Sequence, residues 1–341
     1  MDRETVSRQI NTGFEKANKS YSYNDDHDKS VPIEMWFQES DEGLILFVVF
    51  YSQACRWSQC TGCNLPSKAC QDHVDYKAII DQINYVFSDP EVVRRRDSIS
   101  KVIVSNNGSI FDEATFSSTA LMYFLAQLNI SLTNLQILTI ETRPEYVDFA
   151  ELEFMARALA ESEANTQLEI AIGFEALDDE IRNDIFKKGL SRSGFEELVG
   201  QAAPYGYRIK CYFMQKPVPG LSDDAAVDDI KNAIDYLSQI SEKFKVKINM
   251  HLNPTFVARG TTLEEAFLKN EYTPPRLVDV ARAARHGRDK PISIFIGLSD
   301  EGLTVEGGSF IRDGDEEIIA DLEQFNRSQN YDILDWLAQK T

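Results

Sequence analysis

Three cysteines in one short segment carry the strongest chemical signal in the sequence. Cys55, Cys60 and Cys63 are spaced C-x4-C-x2-C, and Cys70 follows shortly after them. Clustered cysteines in a chain without secretory features indicate metal binding or catalysis rather than disulfides. Three thiolates on a four-iron cubane leave one iron open to an outside ligand. The spacing therefore predicts a [4Fe–4S] cluster on the first three cysteines.

A closed zinc site is the alternative interpretation of the same segment. Zinc prefers four tetrahedral ligands, which Cys55, Cys60, Cys63 and Cys70 would supply. Such sites usually pair two C-x2-C knuckles, and the segment contains one. The cluster is favoured for this reason, and Cys70 is left either as a packing residue or as a ligand or substrate contact.

The elements that must position this segment alternate along the chain. Short apolar runs read as strands, and stretches of 10–20 residues with helical spacing of apolar residues lie between them. The first run, residues 43–51, is almost continuously apolar, as expected for a strand buried on both faces, and it leads directly into the cysteines. The predicted strands are 43–51, 101–105, 135–140, 168–173, 208–213, 246–252 and 292–296.

This alternation predicts an α/β fold with a parallel sheet of six or seven strands. No G-x-G-x-x-G follows the first strand, so a partial β/α barrel is favoured over a dinucleotide-binding fold. Active sites of β/α barrels lie at the carboxyl ends of the strands, where the cysteine segment falls. We expect an N-terminal arm over residues 1–42, a barrel over 43–300 and a C-terminal extension over 301–341 that is helical from Glu316 to Lys340.

The cysteine triad after the first strand, together with this alternation, resembles the radical S-adenosylmethionine (SAM) superfamily. Similar pieces follow the later strands: Ser105–Asp112, Glu141–Glu145, Gly173–Asp178, Lys187–Leu190 and Asn253–Thr261. These pieces are most similar to the branch that contains the archaeosine synthase radical SAM subunit and the Elongator catalytic subunit. The resemblance covers roughly residues 43–285 and implies a partial (β/α)6-type radical SAM barrel.

The resemblance implies a cofactor pair, the cluster and SAM. Reductive cleavage of SAM would give a radical that abstracts a hydrogen atom from the substrate. The SAM-binding residues that the resemblance indicates are Asn107, Gly108, Glu141, Arg143, Glu175 and Lys188. The residue before the third cysteine is usually an aromatic that touches the adenine, but here it is Gly62, so the contact must come from elsewhere, such as Trp57.

Polar residues at the ends of the fifth and sixth strands are the candidates for substrate contact. They lie on or just after strands whose carboxyl ends form the mouth of the barrel. The set comprises Lys210, Tyr212, Gln215, His251, Asn253 and Arg259. For His251, a satisfied structural histidine is the commoner case.

The composition limits the partners. The chain has 341 residues and a formal net charge of −20, which disfavours unaided binding to a phosphate backbone. The expected partners are a polar small molecule or modified nucleobase as substrate, and an electron donor such as flavodoxin or ferredoxin. A tRNA-modifying subunit that acts with a partner protein is the second enzyme hypothesis, and a zinc-bearing interaction protein is the non-enzyme alternative. No apolar run reaches the length of a membrane span, so we expect a cytoplasmic protein.

Overall fold

One eight-stranded sheet organises the molecule. The structure is a computed structural model that describes residues 3–162 and 164–339. The strands follow one another across the sheet in chain order. They are β1 (Glu34–Ser40), β2 (Gly43–Val49), β3 (Ile99–Ser105), β4 (Ile137–Thr142), β5 (Gln167–Glu175), β6 (Arg208–Gln215), β7 (Ile248–Pro254) and β8 (Ile292–Ile296).

The helices connect the strands and cover the convex face of the curled sheet. Strands β2 to β8 are all parallel, and each crossover between them carries at least one helix. The helices are α1 (Arg3–Lys16), α2 (Tyr76–Ser88), α3 (Pro90–Arg95), α4 (Ser118–Ser131), α5 (Phe149–Leu159), α6 (Arg192–Ala202), α7 (Asp223–Phe244), α8 (Thr262–Leu268), α9 (Leu277–Ala284), α10 (Glu316–Ser328) and α11 (Tyr331–Leu337). The predicted partial β/α barrel is confirmed.

Strand β2 shows why the first apolar run is continuous. Leu46 and Val48 pack into the main core against the helices, whereas Phe47 and Val49 point to the concave side. Successive side chains of a strand point to opposite faces, so a strand covered on both faces needs apolar residues throughout. Helix α7 begins at a side-chain cap, in which the Ser222 hydroxyl accepts from the Ala225 N–H at 3.2 Å.

An eighth strand, β1, was not predicted. It pairs antiparallel with β2 through a tight hairpin in which Ser40 lies opposite Gly43 and residues 41 and 42 form the turn. Gly43 has φ +94°, a conformation that suits glycine at such a turn. The segment over residues 1–42 thus contributes one edge of the sheet. The division into three segments remains a prediction.

The C-terminal helices close the other edge of the sheet. The tail was predicted as one helix from Glu316, and it forms two, because Gln329 adopts a left-handed conformation (φ +50°) and Asn330 caps α11. Residue 340, the predicted end, lies outside the described residues. None of the helices described is long and apolar enough to cross a membrane.

Two side-chain amides, from α10 and from the residue that follows it, pair with the outer edge of β8. Asn326 accepts from the Ile296 N–H at 2.8 Å and donates to the Ile296 carbonyl at 2.8 Å. Gln329 does the same for Ile294, at 3.1 and 2.8 Å. An unpaired strand edge buried under a helix would leave backbone groups unsatisfied, and these two amides take the place of a neighbouring strand.

Replacement of Asn326 by alanine is expected to destabilise the fold. Two buried backbone groups of Ile296 would lose their partner, at about 1–3 kcal/mol each. Gln324→Ala, on the exposed face of the same helix, is the matched control. The free energy of unfolding from urea titration should fall for Asn326→Ala and stay near wild type for the control. Equal stability of the two variants would show that the edge is not held this way.

Candidate functional site

The three clustered cysteines line one cavity at the carboxyl end of the sheet. Cys55, Cys60 and Cys63 lie in the loop after β2 and face a cavity of about 700 Å³. All three are free thiols. The same cavity is lined by all six residues predicted to hold SAM, namely Asn107, Gly108, Glu141, Arg143, Glu175 and Lys188. The structure therefore brings the predicted metal ligands and these six residues to one place.

The turn after β3 approaches the cysteine loop at backbone distance. A Cβ atom on Gly108 would lie 3.2 Å from the Cα of Cys55, so a side chain there would push the two segments apart. Asn107 has φ +58°, and the Asn106 side chain accepts from the Gly108 N–H at 3.1 Å. This tight turn leaves backbone groups at the cavity surface, beside the first cysteine.

Helix α1 holds the other side of the cysteine loop. Val6 and Ile10 are buried against Ala54 at the start of the loop. A Cβ atom on Gly13 would lie 2.5 Å from the Trp57 carbonyl oxygen, so the helix contacts the loop backbone directly. The chain just after the helix then places Lys19 in the site. None of this was apparent from the sequence, where residues 1–42 read as an arm.

Three cations surround the thiols. Lys19 donates to the Ser58 carbonyl at 2.9 Å and lines the cavity, as do Arg143 and Lys188. Burial raises the pKa of the Cys60 thiol, and the charges of Lys188 and Arg143 lower it. Burial likewise raises the pKa of Cys63, to about 12, against the charge of Lys19. Positive charge at this end of the cavity favours anionic thiolates and any anionic group bound to them.

Lys188 and Glu175 form an ion pair in the cavity wall. The Lys188 Nζ lies 2.7 Å from the Glu175 Oε1, and both side chains are largely buried. Glu175 has φ +74° and sits where the pairing of β5 with β6 shifts register. The irregular end of β5 thereby turns a carboxylate into the cavity instead of continuing the strand.

Two aromatic side chains border the cysteines. The Arg143 guanidinium lies over the Trp57 ring at 4.4 Å from its centroid, and Trp57 Nε1 donates to the Lys187 carbonyl at 2.9 Å. On the opposite side, a Cβ atom on Gly62 would lie 2.9 Å from the Phe186 ring. An aromatic ring therefore covers the position before the third cysteine, but a residue after β5 supplies it.

The far side of the cavity is formed by β4, β6 and β7. The Tyr212 hydroxyl donates to the Glu141 carboxylate. Burial raises the pKa of Glu141, and hydrogen bonds from Ser105 and Tyr212 lower it. Burial, with the charges of Lys210 and Lys101, holds the pKa of His251 well below its usual range, so its imidazole is neutral at neutral pH.

Three of the predicted substrate residues line the cavity and three do not. Tyr212, His251 and Asn253 face it. Lys210 lies beneath it and donates to the Asn249 side chain at 2.7 Å, while burial lowers its pKa to about 8. Gln215 is fully buried, and both polar atoms of its side chain lack a partner among the described residues. Arg259 lies at the surface and donates to the Thr304 carbonyl at 3.4 Å.

Cys70 is separated from the other clustered cysteines. It packs into the main core and does not line the cavity. Within the described ranges no three His, Cys, Asp or Glu side chains are placed to hold a single metal ion. A cubane binds each cysteine through a different iron, so its ligands need not meet at one point. The donor set thus fits a cluster, and the position of Cys70 gives no support to the four-cysteine zinc site.

Comparisons with known proteins agree with this fold. No family model matches the chain. An archaeosine synthase subunit beta from Methanosarcina acetivorans is 27% identical over 245 residues, which are 71% of this chain and 66% of that protein. An uncharacterized protein of Methanocaldococcus jannaschii is 24% identical over 90% of this chain and 84% of its own.

A solved structure shows the same fold. Elp3 from Methanocaldococcus infernus superposes with a TM-score of 0.52 at 15% identity, over 78% of this chain and 59% of that one. The chain is thus similar to radical SAM enzymes in sequence and in fold. The predicted resemblance is confirmed. The alignments cover 66% of the Methanosarcina relative and 59% of Elp3.

A buried ion network forms the floor beneath the cavity that the cysteines line. Lys101 lies 2.6 Å from Glu169 and 2.7 Å from Glu42, and Arg208 pairs with both carboxylates. The Thr139 hydroxyl donates to Glu169 at 2.8 Å. These side chains fill the concave side of the sheet below the cavity. Each charged group among them has at least one partner of opposite charge.

Glu169 is expected to make stability depend on pH at the acid end. Burial raises its pKa, but the charges of Lys101, Lys210 and Arg208 outweigh burial and bring the pKa down to about 2. The ionised Glu169 carboxylate therefore contributes to the free energy of unfolding. This contribution is fully present above the pKa of the unfolded chain and is lost as the pH falls toward 2. Glu169→Gln should lower the free energy of unfolding at pH 7 by about 3–5 kcal/mol, because the buried cations Lys101 and Arg208 would keep only one of their two carboxylate partners, Glu42.

The control for this prediction is Glu153→Gln, which removes an exposed carboxylate paired with Arg157 on one helix. That variant should stay within about 0.5 kcal/mol of wild type. Urea titrations at several pH values measure both, and the deficit of Glu169→Gln should shrink below pH 4.5. A deficit that is constant from pH 7 down to pH 3 would contradict the assignment.

Proposed function

We propose that this enzyme holds a [4Fe–4S] cluster on Cys55, Cys60 and Cys63 and cleaves SAM reductively at it. When bound, the cluster and SAM together supply a radical that abstracts a hydrogen atom from a polar small molecule or a modified nucleobase. The observation that carries the proposal is the convergence of three free thiols on one cavity at the carboxyl end of a β/α half-barrel. The fourth clustered cysteine lies elsewhere, which leaves one iron open.

The residues around the thiols are suited to bind SAM. The turn at Asn107 and Gly108 offers backbone groups next to Cys55 and would receive the amino group of SAM. Arg143 and Lys188 offer positive charge for its carboxylate. Glu141 and Glu175 are positioned to accept from the amino or ribose hydroxyl groups, and Phe186 and Trp57 are the rings available to an adenine.

A modified nucleobase is the more specific form of the proposed substrate. Two relatives are named archaeosine synthase subunit beta, and they align with 71% and 69% of this chain. A net charge of −20 disfavours direct binding of tRNA, so a basic partner subunit would have to present it. We propose a partner protein of this kind, and a small one-electron donor such as flavodoxin or ferredoxin. A free small molecule remains the alternative.

Metal content of cysteine variants tests the proposal. After anaerobic reconstitution the wild type should carry iron close to four per chain and cleave SAM when reduced. Cys55→Ala, Cys60→Ala and Cys63→Ala should each lose the cluster absorbance and the cleavage. Cys70→Ala is the matched control and should keep both, since its side chain packs in the core. Zinc near one per chain, or loss of metal in the control as well, would contradict the proposal.

Binding of bulk tRNA tests the need for a partner. Because repulsion between like charges disfavours the complex, the chain alone should not shift tRNA in a gel at about 150 mM salt. A tight shift that weakens steeply as salt is raised would show that the chain itself contains the RNA-binding surface. Bovine serum albumin, also an acidic protein, controls for nonspecific retention.

A further inference from the structure

We propose that the substrate binds through a protonated amino group to the carboxylate of Glu301. This inference rests on the proposed radical SAM function and adds the chemical class of the substrate. Glu301 follows β8, lines the cavity and was not among the residues that the sequence analysis selected. It belongs to the C-terminal extension, outside the segment that resembles the superfamily.

The charged groups of the cavity wall are not evenly paired. Lys19, Arg143 and Lys188 lie near the cysteines together with Glu175, which pairs with Lys188. The charge of Glu141 raises the pKa of Glu301, and the charge of Glu301 raises the pKa of Tyr212, so these three side chains lie close together. A cationic group of a ligand would supply the counter-charge that Glu301 lacks in this part of the wall.

The loop that carries Glu301 is fixed while its carboxylate is left available. Lys68 donates to the Glu301 backbone carbonyl at 2.7 Å and pairs with Glu34, and the Ser299 hydroxyl accepts from the Glu301 N–H at 3.1 Å. Across residues 3–162 and 164–339, no ion pair or hydrogen bond to the Glu301 carboxylate is found. The residue is exposed at the cavity rim, yet protein atoms surround it.

The groups facing Glu301 set how it ionises. Burial raises its pKa to about 7; the charges of Glu34, Glu141 and Asp300 also raise it, and Lys68 lowers it. A carboxylate of this kind gains most from a cation, which replaces the missing counter-charge and holds the ionised form. A neutral or anionic ligand group would gain nothing comparable there.

A second, independent feature points to a ligand in the same cavity. His251 lines the cavity with 7% of its surface exposed, and its Nδ1 has no partner among the residues described. Buried polar atoms are normally hydrogen-bonded, so this nitrogen lacks a hydrogen bond that a bound molecule would supply. The His251 ring lies between Tyr212 and Phe295, with centroids at 4.9 and 4.8 Å, which provides apolar walls beside the polar atoms.

Two isosteric probes test the proposal on the full chain. Benzylamine carries a protonated amine on an apolar ring, and benzyl alcohol replaces that amine by a neutral hydroxyl. Titration calorimetry at pH 8 should give about fivefold tighter binding of the amine, as expected for a single partly exposed charge pair. The preference should decline toward pH 6, where Glu301 is protonated. Equal binding of the two probes by the wild type would overturn the proposal without reference to any variant.

A variant pair then assigns the preference to one carboxylate. Glu301→Gln should bind both probes equally, whereas Glu306→Gln, an exposed carboxylate of the same loop that does not line the cavity, should keep the wild-type preference. An unchanged preference in Glu301→Gln overturns the assignment. The probes need neither iron nor SAM. If the wild type cleaves SAM but binds the two probes equally, this inference alone is rejected. If the wild type prefers the amine but does not cleave SAM, the proposed function alone is rejected.

Discussion

The close approach of three backbone segments to the cysteine loop is the constraint on which the site depends. Between Cys55 and Cys63 the chain forms no helix or strand, so its neighbours determine its shape. Helix α1 contacts it through Gly13, and the turn after β3 contacts it through Gly108. The segment after β5 holds it by hydrogen bonds from Thr61 to the carbonyls of residues 185 and 186, at 3.1 and 2.9 Å. The positions of the thiols are therefore set by elements far apart in the sequence.

Charged side chains occupy two levels on the concave side of the sheet, the floor beneath the cavity and the cavity wall. The ion network around Glu169 closes the floor, where every carboxylate has a cation within reach. Above it, Lys19, Arg143 and Lys188 lie near the cysteines, and the Glu301 carboxylate in the same cavity has no ion-pair partner among the described residues. Because the charges at the floor are paired and those in the cavity are only partly so, the cavity is the place where a charged ligand changes the electrostatic energy most.

The sequence predicted the strands well because each is a short apolar run that must be buried on two faces. The cysteines and the six residues predicted to bind SAM line one cavity, as expected where parallel strands bring their carboxyl ends together, and their roles remain predictions. Strand β1 was missed because its side chains are all at least partly exposed and carry no clear alternation, although the Asp41-Glu42-Gly43 turn was visible. Lys19 and Glu301 were missed because only tertiary packing brings the two ends of the chain to the cavity.

Electron paramagnetic resonance of the reduced, reconstituted protein tests the central claim most directly. An iron without a protein ligand should bind SAM, so adding SAM should shift the signal of the reduced cluster. The shift should be absent when adenosine, which lacks the amino and carboxylate groups of SAM, is added at the same concentration. The account predicts a signal typical of a [4Fe–4S] cluster that responds to SAM. A cluster signal that SAM leaves unchanged would show that every iron already has its full set of ligands, and would contradict the account.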